Sequence, residues 1–195
     1  MPARFALALL FTYATPAAAE TITGRASVVD GDTLEIRSTK IRLNGIDAPE
    51  SGQSCLDETG QSYRCGQKAA LALADKVGAA NVACDVVELD RYGRSVARCS
   101  IGDLDVNRWM VTQGWAVAYR KYSTDYISDE EAARRERAGL WQGNFDLPWE
   151  WRAERSKPVP PASAAAPAGC DIKGNVGSKG VASITDRDSG TTSVQ

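Results

Sequence analysis

Apolar and polar residues alternate from Thr21 to Val29, and the alternation breaks at Asp30-Gly31. It resumes from Thr33 to Arg37, with Leu34 and Ile36 on one face. A turn, Arg37 to Lys40, leads into a third run at Ile41 to Ile46. Three strands joined by short turns make a meander. The stretch Ala48 to Gly66 is polar and loop-like, and Gln67 to Gly78 is rich in helix formers and closed by glycine, which predicts a helix. Asn81 to Leu89 and Arg94 to Ser100 read as two more strands, joined by the sequence DRYGR. Asp105 to Gln113 has the spacing of a short amphipathic helix, with Val106, Trp109 and Met110 on its apolar side. Ser123 to Ala138 is a charged helix with Gly139 as its C′ residue, after which Leu140 and Trp141 fold back as an apolar anchor. Five strands with a helix after the third, and two helices at the end, predict a mainly β fold with added α. The expected architecture is a five-stranded Greek-key barrel of the OB type with about three helices.

The ends of the chain differ from this pattern. Residues 1–19 read as a secretory signal: Arg4 supplies the positive charge, Phe5 to Phe11 the apolar core, and Ala17-Ala18-Ala19 the cleavage site. A short membrane-anchored or buried helix is the competing reading, but the apolar run falls short of a spanning length. The expected mature protein starts at Glu20, is secreted or periplasmic, and has no stable membrane association. The domain is expected over residues 20–152, a Pro/Ala linker over 153–169, and a disordered or truncated extension over 170–195.

Charge and cysteine content narrow the chemistry. Of 195 residues, 43% are hydrophobic and 25% charged, which suits one domain with spare ends. Losing Arg4 with the signal leaves 22 basic residues against 25 acidic ones, a net charge of −3. That excludes a generally basic nucleic-acid-binding coat and leaves room for a local basic cleft. In an exported protein the five cysteines favour disulfides. The spacing suggests Cys55 with Cys65 and Cys84 with Cys99; four cysteines allow three pairings, so sequence leaves the choice open. Cys170 is left over. Zinc is disfavoured because the chain has no histidine and no C-x-x-C.

The polar residues at the strand ends carry the candidate chemistry. Asp32 and Asp47 are hard oxygen donors suited to Ca²⁺ or Mg²⁺, although Asp30-Gly31-Asp32 alone also reads as a turn. Arg42 alone reads as the solvated face of a strand, and Arg94 as part of a hairpin turn. Together they would make a two-guanidinium clamp for phosphate.

The ordered set VVDGDT, IRLNGIDAPE, DRYGR and, after a helix, GLW resembles the staphylococcal nuclease family from Thr21 to Trp141. The resemblance implies an OB-fold, Ca²⁺-dependent nuclease acting on DNA and RNA to leave 5′-hydroxyl and 3′-phosphate ends. It further implies Asp32, Asp47 and the Ala48 carbonyl as metal ligands. Ala48 stands where the best-known pattern has threonine, and a carbonyl ligand tolerates that change. Glu50 would handle the attacking water, and Arg42 and Arg94 would bind the phosphate. Tyr92, Tyr119 and Tyr122 would line the nucleotide pocket. The expected substrate is single-stranded or locally melted DNA or RNA, and the expected state is a monomer. CDIKGN resembles the start of an extension found on exported relatives, but the final stretch VASITDRDSGTTSVQ departs from it, which suggests truncation or a frameshift.

Two other functions fit less of the pattern: a catalytically inactive OB module that binds single strands or protein, and a calcium-binding interaction protein that would not need the arginines. The nuclease reading carries its own geometric condition. Arg42 and Asp47 are five residues apart, so a regular strand would set them on opposite faces. The chain must bulge or break at Asn44 to Ile46, and Gly45 is the natural place.

Overall fold

The computed structural model describes residues 20–157, 175–176 and 182–183. The chain divides into two units, the first of which ends at Ser156. Its long strands are β1 (Thr21–Asp30), β2 (Thr33–Ile36), β3 (Thr39–Leu43), β7 (Asn81–Leu89) and β8 (Ser95–Ile101). Between them lie the two-residue strands β4 (Ile46–Asp47), β5 (Cys55–Leu56) and β6 (Ser62–Tyr63), then helix α1 (Cys65–Val77). After β8 come β9 (Leu104–Asp105), α2 (Val106–Thr112), β10 (Val117–Ala118), α3 (Ile127–Glu136), a 3₁₀ turn (Gly139–Gln142) and α4 (Pro148–Arg155).

The sheet runs β3-β2-β1-β7-β8-β9, and parallel pairing of β3 with β8 closes it. The result is the five-stranded OB-type barrel read from the alternation, with four α-helices among the described residues where the sequence pattern predicts about three. Leu34, Ile36, Ile41 and Leu43 point inward from β2 and β3 with at most 1% exposure, so the apolar positions of the meander are core positions. Helix α1 seals one end with Ala69, Leu73 and Val77, one turn apart on one face. Cys84 faces Cys99 across β7 and β8 and is bonded to it; Cys55 is bonded to Cys65. The second bond ties β5 to the start of α1.

Several boundaries differ from the sequence reading, among them the start of α3 at Ile127 rather than Ser123, and one helix is additional. Helix α1 begins at Cys65, two residues early, where the disulfide anchors it. Helix α3 stops at Glu136 because Arg137 takes a left-handed conformation, φ 53°; Gly139, φ 52°, opens the 3₁₀ turn instead of capping α3. Helix α4 was not anticipated. Its signals are local: Pro148 in the first turn, Glu150 after it, and Arg152 and Arg155 in the last turn.

The expectations for residues 1–19, for Cys170 and for most of the linker and tail fall outside the described residues. In the second unit, Asn175–Val176 pairs antiparallel with Ala182–Ser183. Among the described residues no helix is long and apolar enough to cross a membrane.

Candidate active site

Strand β3 ends at Leu43, and the chain turns through Asn44 and Gly45 before β4 begins. Gly45 has φ +75°, and a Cβ there would lie 2.9 Å from Ser123 Cβ and 3.1 Å from the Tyr126 ring. Both conformation and space therefore require glycine. Buried Asn107 holds the turn from inside: its Nδ2 donates to the Asn44 carbonyl at 2.9 Å, and its Oδ1 accepts from the Cys99 amide at 3.0 Å. Beyond the turn β4 leaves the main sheet and pairs with β10, Asp47 opposite Val117. The strand thus breaks where the spacing of Arg42 and Asp47 demands.

That break brings Arg42 and both aspartates together. Arg42 Nη2 donates to Asp32 Oδ2 at 3.1 Å and to Asp47 Oδ1 at 2.8 Å. Asp32 sits in the turn between β1 and β2; Thr33 Oγ1 donates to its Oδ1 at 2.9 Å, and the Asp32 amide donates to Asp30 Oδ1 at 3.1 Å. Asp47 is fully buried, and Ala48 beside it is 4% exposed.

Glu50 follows Pro49, outside any regular element. Its amide donates to Gln53 Oε1 at 3.2 Å, and its carbonyl accepts from the Gln53 amide at 2.7 Å. Gly66, in the first turn of α1, packs so closely that a Cβ would overlap the Glu50 carbonyl. The backbone of Glu50 is therefore fixed from two sides.

A residue absent from the sequence reading completes this cluster. Arg152 of α4 forks onto Asp47, Nη1 to Oδ1 at 3.1 Å and Nη2 to Oδ2 at 2.7 Å, and its Nη1 also donates to Glu50 Oε1 at 2.6 Å. No periodicity or spacing rule connects residues 47 and 152; they meet only because α4 folds back over the barrel. The nearest signal was the basic-aromatic composition of PWEWRAER.

Arg94 lines a cleft that Arg42 and Arg152 also line. Its Nε donates to Asp90 Oδ2 at 2.7 Å, so it is paired within its own turn rather than with the aspartates. The cleft, about 640 Å³, has Arg42, Arg94 and Arg152 in its lining along with Tyr92, Tyr119 and Tyr122. Tyr92 and Tyr122 are largely exposed, at 71% and 57%. Tyr119 is not free on both faces: Trp149 of α4 stacks on it at 5.2 Å with planes 3° apart, and Tyr122 meets it edge-on at 4.8 Å. A second depression, about 350 Å³, is lined by Arg98, Asp105, Arg108, Asp125 and Tyr126. Its arginines are already paired with aspartates, Arg98 with Asp125 and Arg108 with Asp105 and Asp129.

The electrostatics of the first cluster are uneven. Burial pushes the Asp32 carboxyl above its ordinary range; Arg42 opposes this and Asp47 adds to it. Asp30 is raised to about 6, mainly by burial and then by the charge of Asp32. Arg42 loses solvation, yet Asp32 and Asp47 hold its pKa above the usual arginine value. Burial is the main cause of both shifts; by count, the carboxylates of Asp32, Asp47 and Glu50 outnumber the guanidinia of Arg42 and Arg152 that bond them. The donor set fits a hard divalent cation on that ground. Room remains as well: a carboxylate offers about four acceptor positions, and Asp47 uses three. Among the described residues no group of three or more Asp, Glu or Cys side chains is gathered as a metal cage. An ion here would draw on two carboxylates and a carbonyl, with water or substrate oxygens making up its coordination.

The family model described as "Staphylococcal nuclease homologue" matches residues 40–143. That span takes in Arg42, Asp47, Ala48, Glu50 and Arg94 and stops short of α4. The chain is 45% identical over 141 residues to the succinoglycan biosynthesis protein ExoI of Rhizobium meliloti, covering 69% of this chain and 72% of that protein. It is 36% identical over 157 residues to an uncharacterized endonuclease of Haemophilus influenzae, covering 76% and 83%. It is also 36% identical over 143 residues to a micrococcal nuclease of Shigella flexneri, covering 64% and 76%.

Proposed function

From the premise that the chain belongs to the staphylococcal nuclease homologue family, we propose that it is a Ca²⁺-dependent phosphodiesterase that hydrolyses DNA, RNA or both. The observation that carries this reading is the cluster of Asp32, Arg42 and Asp47 within hydrogen-bond distance, made possible by the break at Gly45. Asp32, Asp47 and the Ala48 carbonyl would hold the ion, which when bound supplies Lewis-acid polarisation of the phosphate and a template for water.

The chain's own groups do the rest. Glu50 accepts the proton of the attacking water or orients that water, from a backbone locked by Gln53 and Gly66. Arg42 and Arg94 bind the phosphate oxygens and stabilise the charge that grows on them during attack. Arg94 keeps Nε on Asp90, which leaves its Nη groups for that role. Arginine or water supplies the proton to the leaving 5′-oxygen, so the products are a 5′-hydroxyl and a 3′-phosphate. The largely exposed rings of Tyr92 and Tyr122, over which Arg91 and Lys121 sit at 4.9 and 5.6 Å, would stack on unpaired bases, which favours single-stranded or locally melted substrate. Tyr119 acts through its edge and hydroxyl, since Trp149 covers one face. The net charge of −3 after signal removal puts the attraction for nucleic acid in this cleft rather than over the whole surface. The protein acts as a secreted or periplasmic monomer.

The test is cleavage of single-stranded DNA by the mature protein with Ca²⁺ and with chelator. Ca²⁺-dependent release of 3′-phosphate fragments is expected; no Ca²⁺-dependent cleavage overturns the reading. A second reading, an inactive binding module, draws on the fact that arginines already occupy most acceptor positions of Asp47. It is separated by the same assay, as retention of the strand without cutting it.

A further inference from the structure

Helix α4 lies outside the span matched by the family model, yet three contacts bring it to the cleft. The chain leading into it is held by Gln53, which is fully buried and donates from Nε2 to the Asp146 carbonyl at 2.7 Å. The same Gln53 accepts from the Glu50 amide. Trp149, in the first turn, stacks on Tyr119. One turn further on, Arg152 reaches Asp47 and Glu50 together. Residues 149 and 152 are three apart and so share a face of the helix. The aromatic stack sets the height of that face, and the guanidinium is delivered at its end.

The Glu50 side chain sits on irregular backbone after Pro49 and is 35% exposed. Among the described residues, Arg152 is the group that bonds its carboxylate. Asp47 has a second guanidinium in Arg42, and Glu50 does not. Because one planar guanidinium spans both, it fixes Glu50 relative to Asp47 and not merely to the surface. In the nuclease reading, on which this inference rests, those are a water-handling group and a metal ligand, whose separation must be held through the reaction.

We propose that Arg152 is a positioning residue of the active site: α4 uses it to lock the Glu50 carboxylate against Asp47. Arg152 acts on the two carboxylates and not on the substrate, so its loss falls on kcat rather than on KM. Partners that orient functional groups in this way are worth about 10–100-fold in activity.

The experiment uses the full chain carrying Arg152→Gln, Arg152→Lys or Trp149→Ala, at saturating Ca²⁺ with a short single-stranded oligonucleotide. Arg152→Gln is expected to lower kcat by about 10–100-fold with KM changed less than about threefold. Arg152→Lys restores part of the loss, since one ammonium can bridge the two carboxylates as Nη1 does but cannot also keep the two-pronged fork onto Asp47. Trp149→Ala, which leaves Arg152 in place but unstacks the helix, lowers kcat in the same direction. A kcat for Arg152→Gln within threefold of the unaltered chain overturns the proposal, as does a loss confined to KM, which would make Arg152 a phosphate ligand. Side-chain ¹³C relaxation at Glu50 Cγ is measured in parallel by NMR without metal or substrate, because the lock acts on the carboxylate and not on the backbone. A more mobile Glu50 side chain in Arg152→Gln supports the lock, and unchanged mobility overturns it. If the unaltered chain shows no Ca²⁺-dependent cleavage, the nuclease reading falls, and the side-chain relaxation still decides whether Arg152 holds Glu50.

Discussion

Two buried carboxylates flank the β4–β10 pair, one on a strand and one on a helix, and are bonded differently. Asp47 in β4 and Glu130 in α3, which caps the paired strand β10, are both fully buried and both contacted by two arginines. Around Glu130 the account closes. Its Oε2 accepts from the Ala118 amide at 2.7 Å, and Arg120 and Arg134 reach its Oε1 at 3.2 and 2.8 Å. One carboxylate faces two guanidinia and a backbone amide. Around Asp47 two guanidinia are shared among Asp32, Asp47 and Glu50. The first arrangement is saturated and holds α3 to β10. The second has more carboxylates than guanidinia and lies beside the cleft that Arg42 and Arg152 line, and there a cation has something to gain. What separates a structural ion cluster from a candidate catalytic one here is the ratio of acids to arginines and access to the cleft, not burial or the number of bonds.

The largest effect expected from breaking this comparison is catalytic. Arg42→Ala and Arg94→Ala should each lower kcat by about 10²–10³-fold with the fold retained, as for other preorganised donors on a developing charge. Steady-state kinetics with circular dichroism checks it, and losses below threefold at both positions would refute the phosphate clamp. The same measurement on Arg120→Ala, at the saturated cluster, should leave kcat within threefold.

Glu130→Gln reverses the pattern. It leaves buried hydrogen-bond partners mismatched, with the arginines themselves half exposed and hydrated. The expected cost is about 2–3 kcal/mol in stability by denaturant unfolding, with kcat per folded molecule nearly unchanged. If activity falls in step with Asp47→Asn while stability holds, the division between the two clusters is wrong.

Calcium sharpens the contrast at smaller magnitude. A ligand that binds only the folded chain at ten times its Kd stabilises it by about 1.4 kcal/mol. That gain should appear in thermal unfolding of the unaltered chain and of Glu130→Gln, and vanish in Asp32→Asn. Equal stabilisation of Asp32→Asn would remove Asp32 from the ion's ligands.

How much of this was legible in the sequence depends on how local each feature is. The barrel strands follow from period-two alternation, and Leu34, Ile36, Ile41 and Leu43 fall inside as it dictates. The break at Gly45 follows from Arg42 and Asp47 being five positions apart, an argument that needs no coordinates. Both disulfides match the spacing, which on its own had left three pairings open. Arg152 could not be found in this way. Its link to Asp47 crosses 105 residues and depends on where α4 docks, which is settled by Trp149 on Tyr119 and Gln53 on Asp146. Tyr119 shows the same limit: its place beside the cleft was anticipated, but the tryptophan over its face was not. Residue type and spacing carry local geometry; long-range packing decides which arginine a carboxylate meets.

The smallest expected effect tests whether bond length alone could have made the distinction. The Arg98–Asp125 contact, at 2.6 Å, equals the Arg152–Glu50 contact as the shortest ion pair among the described residues. Yet Arg98 and Asp125 are 55% and 41% exposed. Water competes for both groups, and salt screens what remains. Arg98→Ala should therefore cost only about 0.2–1 kcal/mol in denaturant unfolding, less at high salt, and leave kcat within threefold. Arg152→Gln, which breaks a contact of the same length, is expected to lower kcat by about 10–100-fold. A comparable kcat loss from both would mean that proximity of charge explains the site. The two variants should diverge if the shared, under-neutralised carboxylates are the functional feature.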